Sequence, residues 1–186
     1  MKRNALLHQL VTHENTFDFI VIGGGATGLG IALDAITRGA SVALFEQDDF
    51  TKGTSSRSTK LVHGGVRYLA QGDVSLVLEA LRERGLLRKN ASHLVKNQSF
   101  LIPCYRWWEG AFYTIGLILY DLMAANLGFG RSFCIGPKRA VKTIPMLRKK
   151  GMKAGVIYHD GQFDDSRLAI NIAQTAVDAG ACVLNY

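Results

Sequence analysis

The sequence predicts an α/β fold, and three adjoining segments near its start carry that expectation. Phe17-Asp18-Phe19-Ile20-Val21-Ile22 is a short β-branched and aromatic run that ends at glycines, the pattern of a strand buried in a parallel sheet. From Ala26 to Arg38 apolar residues recur at Leu29, Leu33 and Ile36, a helical spacing that stops at Gly39. Ser41 to Glu46 then reads as a second strand, so the three make a β-α-β unit with a right-handed crossover.

The later elements follow from the same periodicities. A polar, Ser/Thr-rich stretch from Thr51 to Lys60 separates the unit from an amphipathic helix over Asp73 to Asn90, with Asp73 as N-cap and Val74, Val77, Leu78 and Leu81 at helical spacing. Phe100 to Pro103 reads as a brief strand, Gly110 to Leu127 as a helix, and Val156 to His159 as another strand. Asp164 or Asp165 caps a helix running through Ala179, Gly180 terminates it, and Cys182 to Tyr186 begins a strand in which the chain stops. Residues 1–16 read as an N-terminal extension and 17–186 as one domain, incomplete at its C-terminus.

Composition narrows the class. With 186 residues and 48% hydrophobic side chains, the chain can bury a sizeable core in one or at most two domains. The balance of 22 basic against 15 acidic side chains, a net charge of +7, favours anionic partners such as phosphates or anionic lipids, and no nucleic-acid partner is expected. Cys104, Cys134 and Cys182 are scattered, without the spacing of a zinc site or a disulfide framework, which fits a reducing compartment, and no metal-ligand candidate stands out. The N-terminus lacks the pattern of a secretory or organellar leader, so a cytoplasmic location is expected. The longest apolar stretch, Ala111 to Tyr120, is interrupted at Asp121, whereas a spanning helix needs roughly twenty residues, so no transmembrane segment is expected.

Gly23-Gly24-Gly25-Ala26-Thr27-Gly28 fits G-x-G-x-x-G. Gly23 makes the turn, Gly25 lets backbone approach a pyrophosphate, and Gly28 packs helix on strand, with the phosphate charge at the helix N-terminus. Glu46 ends the second strand, where a carboxylate accepts from ribose hydroxyls and repels a 2′-phosphate. The alternative, a glycine turn with no ligand, is disfavoured by this full context, but FAD and NAD share the fingerprint. The next segment, Gly53 to Leu69, is dense in hydroxyl and basic groups and holds a glycine pair. Hydroxyl and backbone donors there can satisfy phosphate and ribityl oxygens, and Gly64-Gly65 permits close approach to a flat ring, although a polar surface loop has the same composition.

The strand, Gly-Gly-Gly-Ala-Thr-Gly, Glu46 and then Thr54-Ser55-Ser56-Arg57-Ser58-Thr59-Lys60-Leu61-Val62-His63-Gly64-Gly65-Val66-Arg67-Tyr68-Leu69, in that order, resemble the FAD-dependent glycerol-3-phosphate dehydrogenases. Tyr158 to Leu168 is similar to that family's Asp-Asp-x-Arg-Leu segment, so the resemblance spans roughly 17–186. It implies a Rossmann-like FAD-binding domain of D-amino-acid-oxidase type. The ADP half of FAD would lie on the first β-α-β unit and the isoalloxazine near His63 to Tyr68. The cofactor set it implies is Gly23, Gly25, Gly28, Glu46, Thr54, Ser55, Ser58, Thr59, Lys60, His63, Gly64 and Gly65. The implied reaction oxidises sn-glycerol 3-phosphate to dihydroxyacetone phosphate, hydride passing from C2 to flavin N5 and electrons then to quinone, or to oxygen in oxidase relatives.

His63 suits proton abstraction from an alcohol, because imidazole titrates near neutrality; a histidine that only hydrogen-bonds flavin or backbone is the competing assignment. Arg67 and Tyr68, carried over from the family's substrate pocket, would meet the substrate phosphate, Arg67 through its planar fork of donors. His8, His13, His93 and His159 are read as surface or structural groups. The basic cluster Lys138, Arg139, Lys142, Arg148, Lys149, Lys150 and Lys153 is usually a solvated face; its functional reading is contact with anionic lipid headgroups, in keeping with a family whose quinone-reducing members bind the inner face of the membrane peripherally. Trp107, Trp108, Phe112 and Tyr113 resemble an interfacial aromatic belt, although core packing is the commoner fate of such a run. A homo-oligomer, another FAD oxidoreductase of the same fold, and a nucleotide-binding or membrane-docking module without catalysis all stay open.

Overall fold

The computed structural model describes residues 2–12, 16–69 and 71–186. In chain order the elements are α1 (Arg3–Thr12), β1 (Phe19–Ile22), α2 (Ala26–Thr37), β2 (Val42–Glu46), β3 (Leu61–Val62), α3 (Val66–Leu69), α4 (Val74–Asn90), β4 (Lys96–Cys104), α5 (Glu109–Ala124), β5 (Phe133–Ile135), α6 (Pro137–Thr143), β6 (Ala154–Gln162), α7 (Asp165–Asp178) and β7 (Cys182–Asn185), with short 3-10 turns at Thr54–Ser56 and Ala125–Leu127. The span 17–186 is divided between two compact units, one built from residues 1–60 and 164–186, the other from 61–163.

The first unit carries a parallel sheet in the order β1-β2-β7, with Val21 beside Leu44 and Leu44 beside Val183. Successive strand residues point to opposite faces, so Val42, Leu44 and Val183 meet α2 and α7 through Leu29, Ala32, Ala169, Ala173 and Ala176. On the other face Ala43, Cys182 and Leu184 meet Leu6 of α1. Helices on both faces of a parallel sheet confirm the α/β class. The apolar face of α7 is made of alanines, which lets α2 and α7 share the face at close range. Both helices are followed by a glycine in the left-handed region, Gly39 at φ +91° and Gly180 at φ +106°, where a side chain would be strained.

β1 departs from the expectation of a buried strand. Among the described residues it is the edge of this sheet, and Ile20 and Ile22, beside Ala43 and Phe45, lie on the face where Leu6 of α1 packs on β7 and Ala43 of β2; Ile22 is 89% exposed. The helix α7 is capped by Asp164, whose carboxylate accepts from the Arg167 amide at 2.9 Å, so Asp165 is the first helical residue instead.

The second unit is organised on β6. The strand β4 pairs antiparallel along its whole length, from Lys96 against Gln162 to Cys104 against Ala154, and β3 and β5 share the opposite edge. Both strands are longer than the brief runs expected at 100–103 and 156–159, because polar and small residues extend them beyond their apolar centres. Pro103 is tolerated because β4 is an edge strand. Asp73 caps α4 as expected, accepting from the Leu76 amide at 3.1 Å. Val77 and Leu81 of α4 pack on Tyr120 and Ala124 of α5, while Leu117 of α5 packs on Cys104 and Val156 of the sheet.

The apolar stretch around α5 is longer than the ten-residue run read from sequence. With the 3-10 turn that follows it, Glu109–Leu127 is long and apolar enough to cross a membrane by length and composition, since Asp121 does not end the helix. Leu117, Tyr120 and Ala124 are buried within the unit, while Trp107, Phe112, Ile115, Ile118, Leu119 and Leu122 are exposed. The aromatic flank therefore does not enter the core.

Leu44 is fully buried between α2 and α7. Replacing it with alanine is expected to lower stability by about 2–5 kcal/mol, read as a lower urea midpoint with unchanged slope.

Candidate functional site

In the first unit the glycine turn joins β1 to α2. Gly23 leaves the strand at φ +112° and its amide donates to the Phe45 carbonyl at 2.8 Å. Gly25 is extended and stands at the N-cap of α2. A Cβ on Gly28 would collide with the Gly23 carbonyl, so only glycine lets α2 start hard against the end of β1. The turn at Gly23 and the helix-on-strand packing at Gly28 are the geometry that the glycine spacing calls for. No acidic side chain lies in the first turn of α2, and among the described residues the Ser55 hydroxyl accepts there from the Ala26 amide at 2.8 Å. The positive end of the helix dipole is thus left free of carboxylates, which suits a phosphate.

Glu46 is held at this turn. Its carboxylate accepts from the Gly24 amide at 2.6 Å and from the Asp48 amide at 2.9 Å, and these bonds, the Asp48 one foremost, hold its pKa below the ordinary glutamate value. A carboxylate is thereby fixed at the end of β2, beside the glycine turn. A Cβ on Gly24 would fall 2.7 Å from Phe50 and 2.8 Å from Glu46, so that residue too must be glycine.

The hydroxyl-rich segment is anchored by a residue more than a hundred positions away. Asp165, 6% exposed by its side chain, accepts from the Ser58 hydroxyl at 2.6 Å, the Ser58 amide at 3.2 Å, the Ser166 amide at 2.7 Å and the Lys60 ammonium. Burial by itself would raise its pKa, but the bonds from Lys60, Ser58 and Ser166 outweigh burial and hold it well below the usual carboxylate range. Lys60 sits at φ +60°, a strained backbone for a residue with a side chain, stabilised by its ammonium bonds to Asp165 and to the Ser56 carbonyl at 2.7 Å. Thr54 opens the 3-10 turn and Thr59 follows it, both exposed.

The second unit holds a cavity of about 400 Å³, lined by Leu61, His63, Gly65, Val66, Tyr68, Phe100, Tyr158 and Asp160. The Phe100 and Tyr158 rings stack in one wall with centroids 5.2 Å apart, and burial together with Asp160 pushes the Tyr158 phenol up. His63 and Tyr68 are exposed to this space. In an aromatic-walled space an imidazole nitrogen can accept a proton, while a protonated phenol can donate a hydrogen bond. Arg67 lies in α3 between them; its side chain is outside the described residues, as is His13. Gly64 has a reason different from the one read in sequence: a Cβ there would meet Leu81 and the Tyr120 hydroxyl, so its close approach is to the protein itself.

The predicted residues thus fall in two groups. Gly23, Gly25, Gly28, Glu46, Thr54, Ser55, Ser58, Thr59 and Lys60 belong to the first unit, and His63, Gly64, Gly65, Arg67 and Tyr68 to the second. Sequence reasoning missed Phe100, Tyr158, Asp160 and the buried Tyr120 and Arg84. The one available signal was a phenol and a guanidinium at core-facing helical positions.

Asp165 ties stability to pH. Its carboxyl is more acidic folded than unfolded, so its contribution is complete above the unfolded value near 4 and is lost as pH falls through the folded value. Asp165→Asn is expected to be less stable than the parent at pH 7, with the gap closing below about pH 4, as followed by urea titrations from pH 7 to 3.

The sequence model of the FAD dependent oxidoreductase family matches residues 18–186. The mitochondrial glycerol-3-phosphate dehydrogenase of Homo sapiens is 47% identical over 187 residues, which cover 96% of this chain and 26% of that protein. That of Saccharomyces cerevisiae is 46% identical, covering 100% and 30%. The glycerol-3-phosphate dehydrogenase of Bacillus halodurans, solved with FAD, superposes with a TM-score of 0.71 at 34% identity over 100% of this chain and 29% of that one. The chain therefore spans between a quarter and a third of these relatives. With the family model covering nearly all of its length, and with glycine turn, carboxylate and hydroxyl loop arranged as that cofactor needs, the chain belongs to the FAD dependent oxidoreductases.

Proposed function

We propose that the protein to which this chain belongs oxidises sn-glycerol 3-phosphate to dihydroxyacetone phosphate and passes the electrons to a quinone. The observation that carries this reading is the single cavity holding His63 and Tyr68, with Arg67 in the helical turn between them, in a chain 46–47% identical to glycerol-3-phosphate dehydrogenases over nearly all of its length.

The residues present fit FAD. The first-turn amides of α2 beside Gly25 would take the pyrophosphate, and Glu46 the adenosine ribose. FAD, when bound, supplies the hydride acceptor for C2 of the alcohol. His63 would accept the C2 hydroxyl proton at an imidazole nitrogen as the C2 hydride leaves; the hydride carries two electrons and one proton and the imidazole takes the second proton, which accounts for the two electrons and two protons lost when the alcohol becomes a ketone. Arg67 and Tyr68 would hold the phosphate, and the Phe100 and Tyr158 rings would shield the reacting carbon from water.

The test is reduction of a quinone analogue by the full-length, FAD-loaded protein with glycerol 3-phosphate and with glycerol. Arg67→Ala is expected to lower kcat/KM for glycerol 3-phosphate about ten- to a hundredfold, the worth of a charge-assisted bond, and to affect glycerol far less. An equal loss on both substrates with FAD content unchanged would remove Arg67 from the phosphate site. Faster turnover with oxygen than with quinone would make the protein an oxidase.

A peripheral position on the inner face of the cytoplasmic membrane is the second part of the proposal. It rests on the exposed apolar side of α5, with Trp107 87% and Ile115 70% exposed, and on the exposed basic residues of α6 and the following turn. Basic side chains near an anionic bilayer contribute about 1 kcal/mol each, and apolar side chains enter the headgroup boundary. Co-sedimentation with phosphatidylglycerol vesicles is expected, and Ile115→Glu combined with Leu122→Glu should abolish it. Retention of that double variant on the vesicles would refute the assignment of α5.

A further inference from the structure

We infer that Tyr120, its hydroxyl oriented by the buried pair Arg84 and Asp160, is a positioning residue that holds the Gly64 amide and thereby the His63-Gly64-Gly65 turn in the wall of the cavity. The inference rests on the proposed role of His63. It starts from three elements that converge beneath the turn. Arg84 of α4 pairs with Asp160 of β6, and Tyr120 of α5 lies against both, its hydroxyl 3.3 Å from Arg84 Nη1 and 3.2 Å from Asp160 Oδ2. The same hydroxyl is 2.8 Å from the Gly64 amide nitrogen. Side chains of Arg84, Tyr120 and Asp160 and the Gly64 backbone are all buried.

The charges decide which way each bond runs. A guanidinium has donors and no acceptor, a peptide N–H only donates, and a carboxylate paired with a guanidinium only accepts. The single proton of the phenol can therefore go only to Asp160, and its lone pairs are left facing Arg84 and Gly64. The hydroxyl has one orientation, and in that orientation it must accept from the Gly64 amide. Burial, the largest influence, together with the Asp160 charge pushes the phenol far above its ordinary pKa, so the proton stays in place. The Arg84 guanidinium is held from its other side by the Phe129 ring, 4.6 Å from its centre.

The consequence reaches the cavity by two routes. Asp160 lines it directly, and Gly64 lies between His63 and Gly65, both of which line it. A Cβ at position 64 would stand 2.5 Å from the Tyr120 oxygen, so the turn approaches the phenol as closely as a backbone can. Gly65, at φ +70°, then turns the chain into α3, which carries Tyr68. A turn free to drift by an ångström would carry the imidazole of His63 with it, and reaction rates are sensitive to displacements of that size.

The test uses the full-length, FAD-loaded protein and Tyr120→Phe, which keeps the ring packed on Val77, Leu81 and Ala124 and removes only the hydroxyl. Amide exchange at residues 63–65 is expected to quicken about tenfold, the upper end of what one hydrogen bond contributes. Turnover of glycerol 3-phosphate is expected to fall by about the same factor with KM changed less than about twofold, a split that a general loss of stability does not produce. Asp160→Asn, which keeps the size of the side chain but offers the phenol a competing donor, is expected to quicken the same amides and decides the matter if Tyr120→Phe does not fold. Unchanged exchange at 63–65 in the folded variants would overturn the inference, and so would faster exchange with unchanged kcat. Parent protein that fails to oxidise glycerol 3-phosphate would refute the proposed function instead, and the exchange measurement would still decide whether Tyr120 holds the turn.

Discussion

The contact between Gly28 and the Gly23 carbonyl is the constraint on which the first unit depends. It sets α2 directly against the end of β1, and with that the first-turn amides of α2 face the place where the glycine turn leaves the sheet. Glu46, one strand over, then reaches back to the Gly24 amide, and Ser55 reaches the Ala26 amide. A larger residue at position 28 would push helix from strand and disturb all three at once. The alanines of α7 extend the same economy of space to the other side of α2, where Ala169, Ala173 and Ala176 share its core.

Both units solve one problem in the same way. A turn that must present backbone to a ligand cannot be held by its own side chains, because glycine has none. In the first unit a carboxylate holds Gly24, and in the second a phenol holds Gly64. The difference lies in burial. Glu46 is half-buried and fixed by backbone amides, whereas Tyr120 is buried and needs an ion pair to settle which way its hydroxyl points.

The first unit was largely legible in the sequence because its signals are local. The glycine spacing, the helical period over 26–38 and the carboxylate at Glu46 all lie within thirty residues, and each follows from a backbone requirement. Edge exposure of β1 was not legible, since Ile20 and Ile22 have the composition of a buried strand and only sheet order shows otherwise. The cavity was half legible: His63 and Tyr68 stand in a recognisable motif, but Phe100, Tyr158 and Asp160 join them through the pairing of β4 with β6, some sixty residues apart. The helix α1 and the short elements β3, β5 and α6 were missed because each is stabilised by what it packs on more than by its own pattern.

The anchoring of Ser58 and Lys60 on Asp165 has a consequence for synthesis. The first unit is split in sequence, and everything between its halves belongs to the second unit. At translation rates of about 5–20 residues per second, roughly 120 residues separate Lys60 from β7, so β2 waits about 6–25 s for its neighbour to be made. The second unit, continuous from 61 to 163, has β3, β4, β5 and β6 all made before that moment. On the ribosome the parallel sheet therefore closes after the second unit's strands have been made, and through that interval β2 has an unpaired edge, the kind of surface that chaperones shield in nascent chains.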